Sequence, residues 1–294
     1  MGKDYLRWSK VPYAGEMNPP TDPVTPLAGS WPLAFLKRDE GGNFADPKGR
    51  RLRLPITHPN RIDFDRELLI VKDTLKNLTP KQKKIGIYYG TGAPTKQWTP
   101  VIDRLIDTYG VAPTEAARIL ASVHDAINDT LIVVWELKYG WDVARPNQYD
   151  PTMKTLICTP RFPTYPSGHA AISGCAQVVL NYFFPREAKK LQKIANDDAN
   201  SRLYAGVHFP IDNSEGLRLG RSIGNVIVNQ LKSERNSDSE YIDHPYRDNL
   251  NADILPDNYK QYIPYDFPES CTSPIIKREK RNNTRNHIKP LLFL

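Results

Sequence analysis

The chain has 294 residues, of which 39% are hydrophobic, so it is long enough to bury a core without metal or disulfide staples. Its formal net charge of +7 is spread along the chain, and the one small basic cluster, at residues 277–281, is typical of a solvated tail rather than a nucleic-acid site. Because no apolar run approaches the roughly 20 residues of a membrane span, we expect no membrane-spanning segment.

The N-terminus carries no apolar stretch of the kind found in secretory signals, so we expect a cytoplasmic protein. The three cysteines, Cys158, Cys175 and Cys271, have no spacing that indicates a zinc site or a disulfide framework. Cys175 lies in an apolar helical run and is expected in the core.

Proline-rich residues 1–60 predict an irregular N-terminal arm. Within the arm, residues 31–37 and 51–56 flank two glycine-containing turns and are predicted to pair as a short β-hairpin. Residues 61–234 are predicted to form the helical domain. Residues 235–294 are polar and punctuated by proline, and they predict a poorly structured tail that is packed loosely or not at all.

Helix start and stop signals are frequent in the middle of the chain. Residues 79–82, Thr-Pro-Lys-Gln, combine a cap, a proline at the first helical position and a capping-box glutamine. Thr99 and Pro100 repeat the cap and the proline, and Gly110 ends that helix. The run from residue 113 to 140 is apolar on several faces, which predicts a buried central helix. Further helices are predicted from residue 63 and over residues 170–184, 186–205 and 213–232. The fold class is therefore all-α, a helical bundle with little β structure.

Residues 165–169, Tyr-Pro-Ser-Gly-His, predict a tight turn that leads into the first turn of a helix. Ser167 supplies a capping hydroxyl and Gly168 a backbone without Cβ. A helix start leaves backbone N–H groups without partners at the positive end of the helix dipole, where an anion binds favourably. The motif is therefore a candidate oxyanion site with His169 beside it, although the same residues also fit an ordinary capped helix.

Lys138 and Arg145 are seven residues apart, which on a helix is about 700° of rotation, close to two full turns. Both side chains are therefore predicted to leave one face and to converge on one anion, with Pro146 ending the helix. They follow a buried helix, where an unpaired charge is costly.

Arg202, His208 and Asp212 form a second spaced set. Gly206 and Pro210 make a continuous helix through this segment unfavourable, so we expect Arg202 on the last turn of one helix and His208 in the following loop. Asp212 is close enough in sequence to accept a hydrogen bond from one ring nitrogen of His208, which leaves the other nitrogen nucleophilic or metal-ligating.

Together these stretches supply three cations, two histidines, one orienting carboxylate and a helix N-terminus. The collection suits a tetrahedral or trigonal-bipyramidal oxyanion such as phosphate or vanadate. It does not suit a divalent cation, which three positive side chains would repel.

The order of these motifs resembles the three-part motif of the superfamily that includes type 2 phosphatidic acid phosphatases, bacterial non-specific acid phosphatases and vanadium-dependent haloperoxidases. Every motif position is present, and the resemblance extends over roughly residues 60–232. It implies a helical bundle of the vanadium haloperoxidase and acid phosphatase type. It is specific for the superfamily and not for the reaction.

The resemblance also implies a role for each motif residue. His208 would bind vanadium in a peroxidase or take the phosphoryl group in a phosphatase, Asp212 would orient it, and His169 would be the general acid–base. The residues that would hold the oxyanion oxygens are Lys138, Arg145, Arg202 and the backbone N–H groups of Ser167 and Gly168.

The surroundings of the motif resemble bacterial vanadium chloroperoxidases more than small acid phosphatases. Trp135 and Phe162 stand where those proteins carry an aromatic wall thought to flank the halide, although both residues also fit ordinary core packing. Ala176 departs from the Phe or His of the well-known fungal and algal haloperoxidases, which bears on halide choice.

We therefore predict a vanadium-dependent haloperoxidase that uses vanadate as its cofactor and oxidises halide with hydrogen peroxide. A phosphatase that hydrolyses phosphomonoesters through a phosphohistidine is the alternative, and a non-catalytic anion-binding protein is a third hypothesis. The expected partners are peroxide and halide as small-molecule substrates, without nucleic acid or membrane, and a homo-oligomer is left open.

Overall fold

The computed structural model describes residues 4–261 and 274–276, and in these residues the chain is mostly helical with one two-stranded sheet. This confirms the predicted all-α class. The α-helices in chain order are α1 (Phe64–Lys76), α2 (Pro80–Gly90), α3 (Thr99–Tyr109), α4 (Pro113–Trp141), α5 (Pro146–Tyr149), α6 (Gly168–Phe183), α7 (Ala188–Tyr204) and α8 (Pro210–Leu231).

The core is built around α4, α6 and α8, with α7 packed against α6. Helices α6 and α8 approach each other closely because α8 presents glycines to its neighbour. A Cβ at Gly220 would lie only 1.8 Å from the carbonyl oxygen of Ala171, and one at Gly216 would lie 2.6 Å from that of Ser167. Only a residue without Cβ fits at either position. The close approach brings the start of α8 against the start of α6, where the candidate site lies.

Local capping signals place most helix ends as predicted. Asp63 caps α1, and Thr79 with Gln82 forms the predicted capping box of α2. Gly110 ends α3 with a left-handed φ of 56°, also as predicted. The prediction that Thr99 caps α3 is wrong, because Trp98 occupies the N-cap position without a side-chain cap and Thr99 is already helical.

The N-terminal arm contains a hairpin, but not between the segments predicted to form it. Strand β1 (Lys37–Arg38) pairs antiparallel with β2 (Phe44–Ala45). Asp39 accepts hydrogen bonds from the backbone N–H groups of Gly41 and Asn43, so the turn closes directly after β1. Of residues 51–56, only Arg51 makes a bridge, to Ala45.

Asp129 of α4 attaches the arm to the bundle. Its carboxylate accepts hydrogen bonds at 2.7–2.8 Å from the backbone N–H groups of Ala34, Phe35 and Leu36, and the side chain is completely buried. Three charge-assisted bonds compensate the burial of the carboxyl group. The residues predicted as the first strand of the hairpin therefore bind α4 instead.

The prediction of a loosely packed tail is wrong for the described residues beyond 235. Ala252 and Ile254 are buried in the core, and Asp243 forms an ion pair with Arg118 of α4. The polar and proline-rich composition of this segment does not indicate that a few of its apolar residues are buried. The basic cluster at residues 277–281 and Cys271 lie outside the described residues.

Cys175 is buried with a free thiol, as predicted, whereas Cys158 is disulfide-bonded, which the cysteine spacing does not predict. None of the helices in residues 4–261 combines the length and apolar character that a bilayer crossing requires. A cytoplasmic location stays a prediction.

Candidate functional site

Three segments converge at one end of the bundle: the C-terminal end of α4 with the following loop, the loop that leads into α6, and the junction of α7 and α8. The structure brings Lys138 and Arg145 together, but not through the predicted shared helix. Helix α4 ends at Trp141, Asp142 adopts a left-handed φ of 54°, and Arg145 is the N-cap of α5. The turn, rather than helical periodicity, directs Arg145 toward Lys138.

His208 lies in the loop between α7 and α8 and is held by the first turn of α8, as its spacing to Asp212 predicts. The ring Nδ1 is 2.8 Å from Asp212 Oδ2 and 3.1 Å from the hydroxyl of Thr164. The same carboxylate oxygen accepts hydrogen bonds from the Thr164 hydroxyl and from the backbone N–H of Phe209. His208 and Asp212 are both almost completely buried, so this arrangement is rigid.

The hydrogen bonds assign the tautomer of His208. A guanidinium nitrogen of Arg145 is 3.0 Å from His208 Nε2, and because guanidinium groups only donate, Nε2 must be the unprotonated acceptor. The ring proton is then on Nδ1, where it faces the Asp212 carboxylate. This tautomer presents the lone pair of Nε2 to the arginine side of the site.

Arg145 is fully buried and only partly satisfied by the protein. Its Nε donates to the carbonyl of Phe162 at 2.9 Å, and one terminal nitrogen donates to the carbonyl of Val207 at 2.8 Å. The other terminal nitrogen, Nη2, is buried without a hydrogen-bond partner among the described residues. Burial lowers the pKa of Arg145 to about 10.

Lys138 is also fully buried, and its Nζ donates to the carbonyls of Pro163 and Thr164, both at 2.7 Å. These two bonds hold the loop that carries Thr164, and an ammonium group has a third N–H to give. Burial, then the neighbouring Arg145, keeps the pKa of Lys138 well below its ordinary value.

Arg202 is on the last turn of α7, as predicted, and is 2% exposed. Its Nε and Nη1 atoms have no hydrogen-bond partner in the part of the chain that the structure describes. Burial lowers its pKa to about 10, because the charged form is poorly solvated there. Buried polar atoms are almost always satisfied, so these guanidinium donors indicate a missing acceptor.

The start of α6 contributes as predicted, with one correction. The Ser167 side chain caps the helix at Ala170, but the Ser167 N–H donates to the carbonyl of Asp212 at 3.0 Å and is not free for an anion. Its hydroxyl remains as a donor. The N–H of Gly168 lies in the first helical turn, and no hydrogen bond joins it to another described residue.

His169 is partly exposed on the same turn, and its Nε2 lies 3.1 Å from the carbonyl oxygen of Tyr89. A carbonyl only accepts, so Nε2 carries the ring proton and Nδ1 is the free acceptor. Desolvation keeps the pKa of His169 well below its usual range, and the nearby Arg202 adds to the shift. The pKa of His208 is lowered in the same way, by burial and then by Arg145. Both rings are therefore neutral at pH 7.

Trp135 and Phe162, the predicted aromatic wall, are in contact, with ring centroids 5.0 Å apart. The Phe162 ring also lies 4.8 Å from the Arg145 guanidinium carbon and 5.2 Å from Lys138 Nζ. Phe162 therefore forms an apolar side of the cation cluster. Ala176 is fully buried in α6 and packs in the main core.

Sequence reasoning missed three residues of the site. Thr164 bonds both His208 and Asp212, and the carbonyl of Tyr89 fixes His169. Asp198, one turn before Arg202 on α7, is completely buried, and burial raises the pKa of its carboxyl to about 7. The signal for Asp198 was its place four residues before Arg202, on the same helix face. No local pattern points to Thr164 or Tyr89.

Comparison with known proteins agrees with this geometry. Residues 125–235, which include Lys138 to Asp212, match the family model described as the PAP2 superfamily. Curated protein sequences give no match. The segment that carries the site is thus similar to the PAP2 superfamily, whose members are haloperoxidases or phosphatases.

Two solved peroxidase structures share the fold. The first bacterial vanadium-dependent iodoperoxidase matches with a TM-score of 0.60 at 22% identity, over 78% of this chain and 62% of that one. A bacterial vanadium-dependent chloroperoxidase matches with a TM-score of 0.54 at 15% identity, over 76% and 61% of the two chains. A transmembrane PAP2-type phosphatidylglycerolphosphate phosphatase from Bacillus subtilis matches with a TM-score of 0.45 at 19% identity, over 59% and 88%. This chain thus spans less than two thirds of the length of either peroxidase.

Proposed function

We propose that the chain is a vanadate-dependent haloperoxidase that oxidises halide with hydrogen peroxide. The observation that carries the proposal is the set of three buried guanidinium nitrogens, one on Arg145 and two on Arg202, that have no partner among the described residues. Buried donors of this kind require an acceptor, and the neutral His208 beside Arg145 offers a lone pair at Nε2.

The residues present fit vanadate. Arg145, Arg202 and the Gly168 N–H are donors for its oxygens, and Ser167 adds a hydroxyl. His208 Nε2, which is unprotonated and accepts a hydrogen bond from Arg145, would be the ligand for the metal. Bound vanadate supplies a Lewis acid that activates hydrogen peroxide toward halide.

Asp212 and Thr164 keep His208 in its ligating tautomer. The Nδ1 proton stays between the ring and the Asp212 carboxylate, so electron density is directed to Nε2. Because Asp212 also accepts from Thr164 and from the backbone, it cannot rotate away from the ring. Histidine ligands in metal sites are commonly oriented in this way.

His169 acts as the base of the proposed reaction. Its pKa lies well below the usual value, so the ring is neutral at pH 7 and Nδ1 takes a proton from hydrogen peroxide. Tyr89 stabilises the resulting imidazolium through the hydrogen bond from Nε2 to its carbonyl oxygen.

The aromatic pair favours a halide as the second substrate. Trp135 and Phe162 place an apolar surface beside Arg145 and Lys138, where a weakly hydrated anion is better tolerated than water. The solved bacterial iodoperoxidase and chloroperoxidase, which share the fold, are consistent with the same chemistry.

The test is reconstitution with orthovanadate, followed by halogenation of monochlorodimedone with peroxide and iodide, bromide or chloride. We expect turnover that depends on vanadate and saturates with halide. The apoprotein under the same conditions is the control. Absence of turnover with all three halides, together with rapid hydrolysis of p-nitrophenyl phosphate, would contradict the peroxidase proposal.

A phosphatase is the second candidate, and the unprotonated Nε2 of His208, which accepts a hydrogen bond from Arg145, is the observation that favours it. Nε2 would attack phosphorus, the bond to the leaving oxygen would break, and a protonated His169 would donate its Nδ1 proton to that oxygen. The low pKa of His169 makes this acid scarce at pH 7, so phosphatase activity is expected to rise toward acidic pH. An anion-binding protein without catalysis is the third hypothesis, and it predicts vanadate affinity without either activity.

A further inference from the structure

A buried carboxyl group lies one helical turn below the anion site. On α7, Asp198 precedes Arg202 by four residues, and on α6, Ser173 follows His169 by four. Residues four apart share a helix face about one turn, or ~5 Å, apart. The Ser173 hydroxyl donates to Asp198 Oδ2 at 2.6 Å, so the two residues lie side by side on the neighbouring helices α6 and α7.

This second layer is sealed from solvent and incompletely bonded. Trp98 donates from its indole nitrogen to the Ser173 oxygen at 3.0 Å, so Trp98, Ser173 and Asp198 form a chain of hydrogen bonds. Asp198 Oδ1, by contrast, has no partner among the described residues, and neither does the hydroxyl of Tyr89. Asp198 is close enough to interact electrostatically with both Arg202 and Tyr89.

The charges around Asp198 are few. On its own helix, Arg202 favours the ionised carboxylate and Asp197 opposes it. Tyr89 of α2 faces it with a phenol whose own pKa is raised by burial and by Asp198, and α6 contributes only the Ser173 hydroxyl. Burial is the largest effect, and it raises the pKa of Asp198 to about 7, so the group is poised to change charge near neutrality.

An oxyanion bound by Arg202 would compete with Asp198 for the same positive charge. In a site with little water, a second negative charge one turn away is strongly unfavourable. We propose that Asp198 takes up a proton when a tetrahedral oxyanion binds, so that the affinity of the site for oxyanions falls as the pH rises above neutrality. Asp198 is thus a positioning residue that acts through Arg202 and makes no contact with the anion. The inference concerns anion binding in the proposed site and does not depend on which reaction follows.

The sign of the effect follows from linkage. Below pH 7 the anion-free site already holds the proton at Asp198, so binding requires no uptake there. Above pH 7 the free carboxylate must be protonated as the anion binds, and affinity falls by up to about tenfold per pH unit for one linked proton. Asp212 and the two histidines have pKa values below this range, so they affect binding at lower pH.

The experiment measures sulfate binding to the full chain by calorimetry from pH 6 to pH 8.5. Sulfate stays a dianion over this range, which phosphate and vanadate do not, so its own titration does not interfere. Repeating the titration in two buffers of different ionisation enthalpy counts the protons taken up. We expect close to one proton per sulfate at pH 8 and a small fraction of one at pH 6.

Asp198→Asn is the decisive variant, because it keeps the shape and an acceptor for Ser173 while removing the charge. We expect its sulfate affinity to be nearly constant from pH 7 to 8.5 and its proton uptake at pH 8 to vanish. Asp197→Asn, at the neighbouring position that bonds Lys193 and Tyr259, is the matched control. It should keep the proton uptake and the fall in affinity, with the fall moved slightly to lower pH because Asp197 no longer opposes ionisation of Asp198.

Ser173→Ala is a second variant. It removes the hydrogen bond that stabilises the ionised form, so the fall in affinity should move to higher pH. The inference is overturned if the unaltered chain takes up no proton at pH 8, or if Asp198→Asn keeps its pH dependence. Absence of sulfate binding at every pH overturns it together with the anion site. Sulfate binding with the expected pH dependence, but without peroxidase turnover, supports the inference and contradicts only the proposed activity.

Discussion

The two sides of the anion site are equally buried but differ in how far the protein itself satisfies their polar groups. On the His208 side, both ring nitrogens have partners, and the Asp212 oxygen that faces the ring accepts three hydrogen bonds. The other Asp212 oxygen and Arg145 Nη2 have no partner among the described residues, so only the ring and its immediate support are fully bonded. On the Arg202 side, two guanidinium nitrogens and one oxygen of Asp198 have no partner in the described residues.

This difference indicates that the two sides have different tasks. The His208 side is organised before any anion arrives, as a ligand or nucleophile must be. The Arg202 side is completed only by the anion, so its unsatisfied donors favour binding over unliganded stability. Variants on the two sides should therefore separate catalysis, anion affinity and folding stability.

The largest expected effect comes from His208→Ala. Loss of the Nε2 lone pair should lower kcat for halide oxidation by roughly 10³-fold or more, because no other group replaces the ligand. Sulfate affinity should change far less, since the arginines remain. Steady-state kinetics and calorimetry check this, with the exposed His244→Ala as control. Unchanged kcat would exclude His208 from the chemistry.

Arginine-to-lysine replacements on the two sides sharpen the comparison. Arg202→Lys should lower sulfate affinity about 10- to 100-fold, because lysine cannot reproduce the two buried donors, while the thermal unfolding midpoint stays nearly constant. Arg145→Lys should lower both, because Arg145 also bonds Phe162 and Val207. Calorimetry and thermal unfolding distinguish the two variants, and Arg218→Lys, at an exposed position of α8, is the control. Equal loss of stability in Arg202→Lys and Arg145→Lys would contradict the proposed difference between the two sides of the anion site.

Thr164→Val probes the organised side without removing a charge. Val is close to Thr in shape but leaves Asp212 with one donor fewer, so we expect about 1–3 kcal/mol lower unfolding free energy and about tenfold lower kcat. Urea unfolding and kinetics provide the measurements. Thr159→Val, at a buried threonine that accepts from Asn147, should lower stability while leaving kcat unchanged. Equal kcat values in Thr164→Val and Thr159→Val would show that Thr164 does not contribute to the function of His208.

Phe162→Leu should have the smallest effect. The ring lies over both Arg145 and Lys138, and loss of cation–π contact should change sulfate affinity about two- to tenfold. A larger change is expected in the KM for halide than in the KM for peroxide, because only the halide is proposed to lie against the aromatic pair. Equal changes in both constants would contradict an aromatic halide wall.

Local signals in the sequence were sufficient to predict several helix ends and one pair of site residues. Capping at Thr79, the left-handed stop at Gly110 and the pairing of His208 with Asp212 depend on residues within four positions of one another. Such interactions form with the backbone of one element, so spacing predicts them without knowledge of the rest of the chain. The motif order pointed to a shared oxyanion site, and these side chains do approach one another.

Other features were decided only when distant segments packed. Arg145 meets Lys138 through the turn at Asp142, the N–H of Ser167 is taken by the carbonyl of Asp212, and Asp198 acquires its unusual acidity from burial between helices. The described part of the tail joins the core through four apolar residues in a polar segment, Tyr246, Ala252, Ile254 and Leu255. Each of these outcomes depends on which groups from remote parts of the chain exclude water around a residue, and desolvation is a property of the packed structure that no sequence spacing encodes.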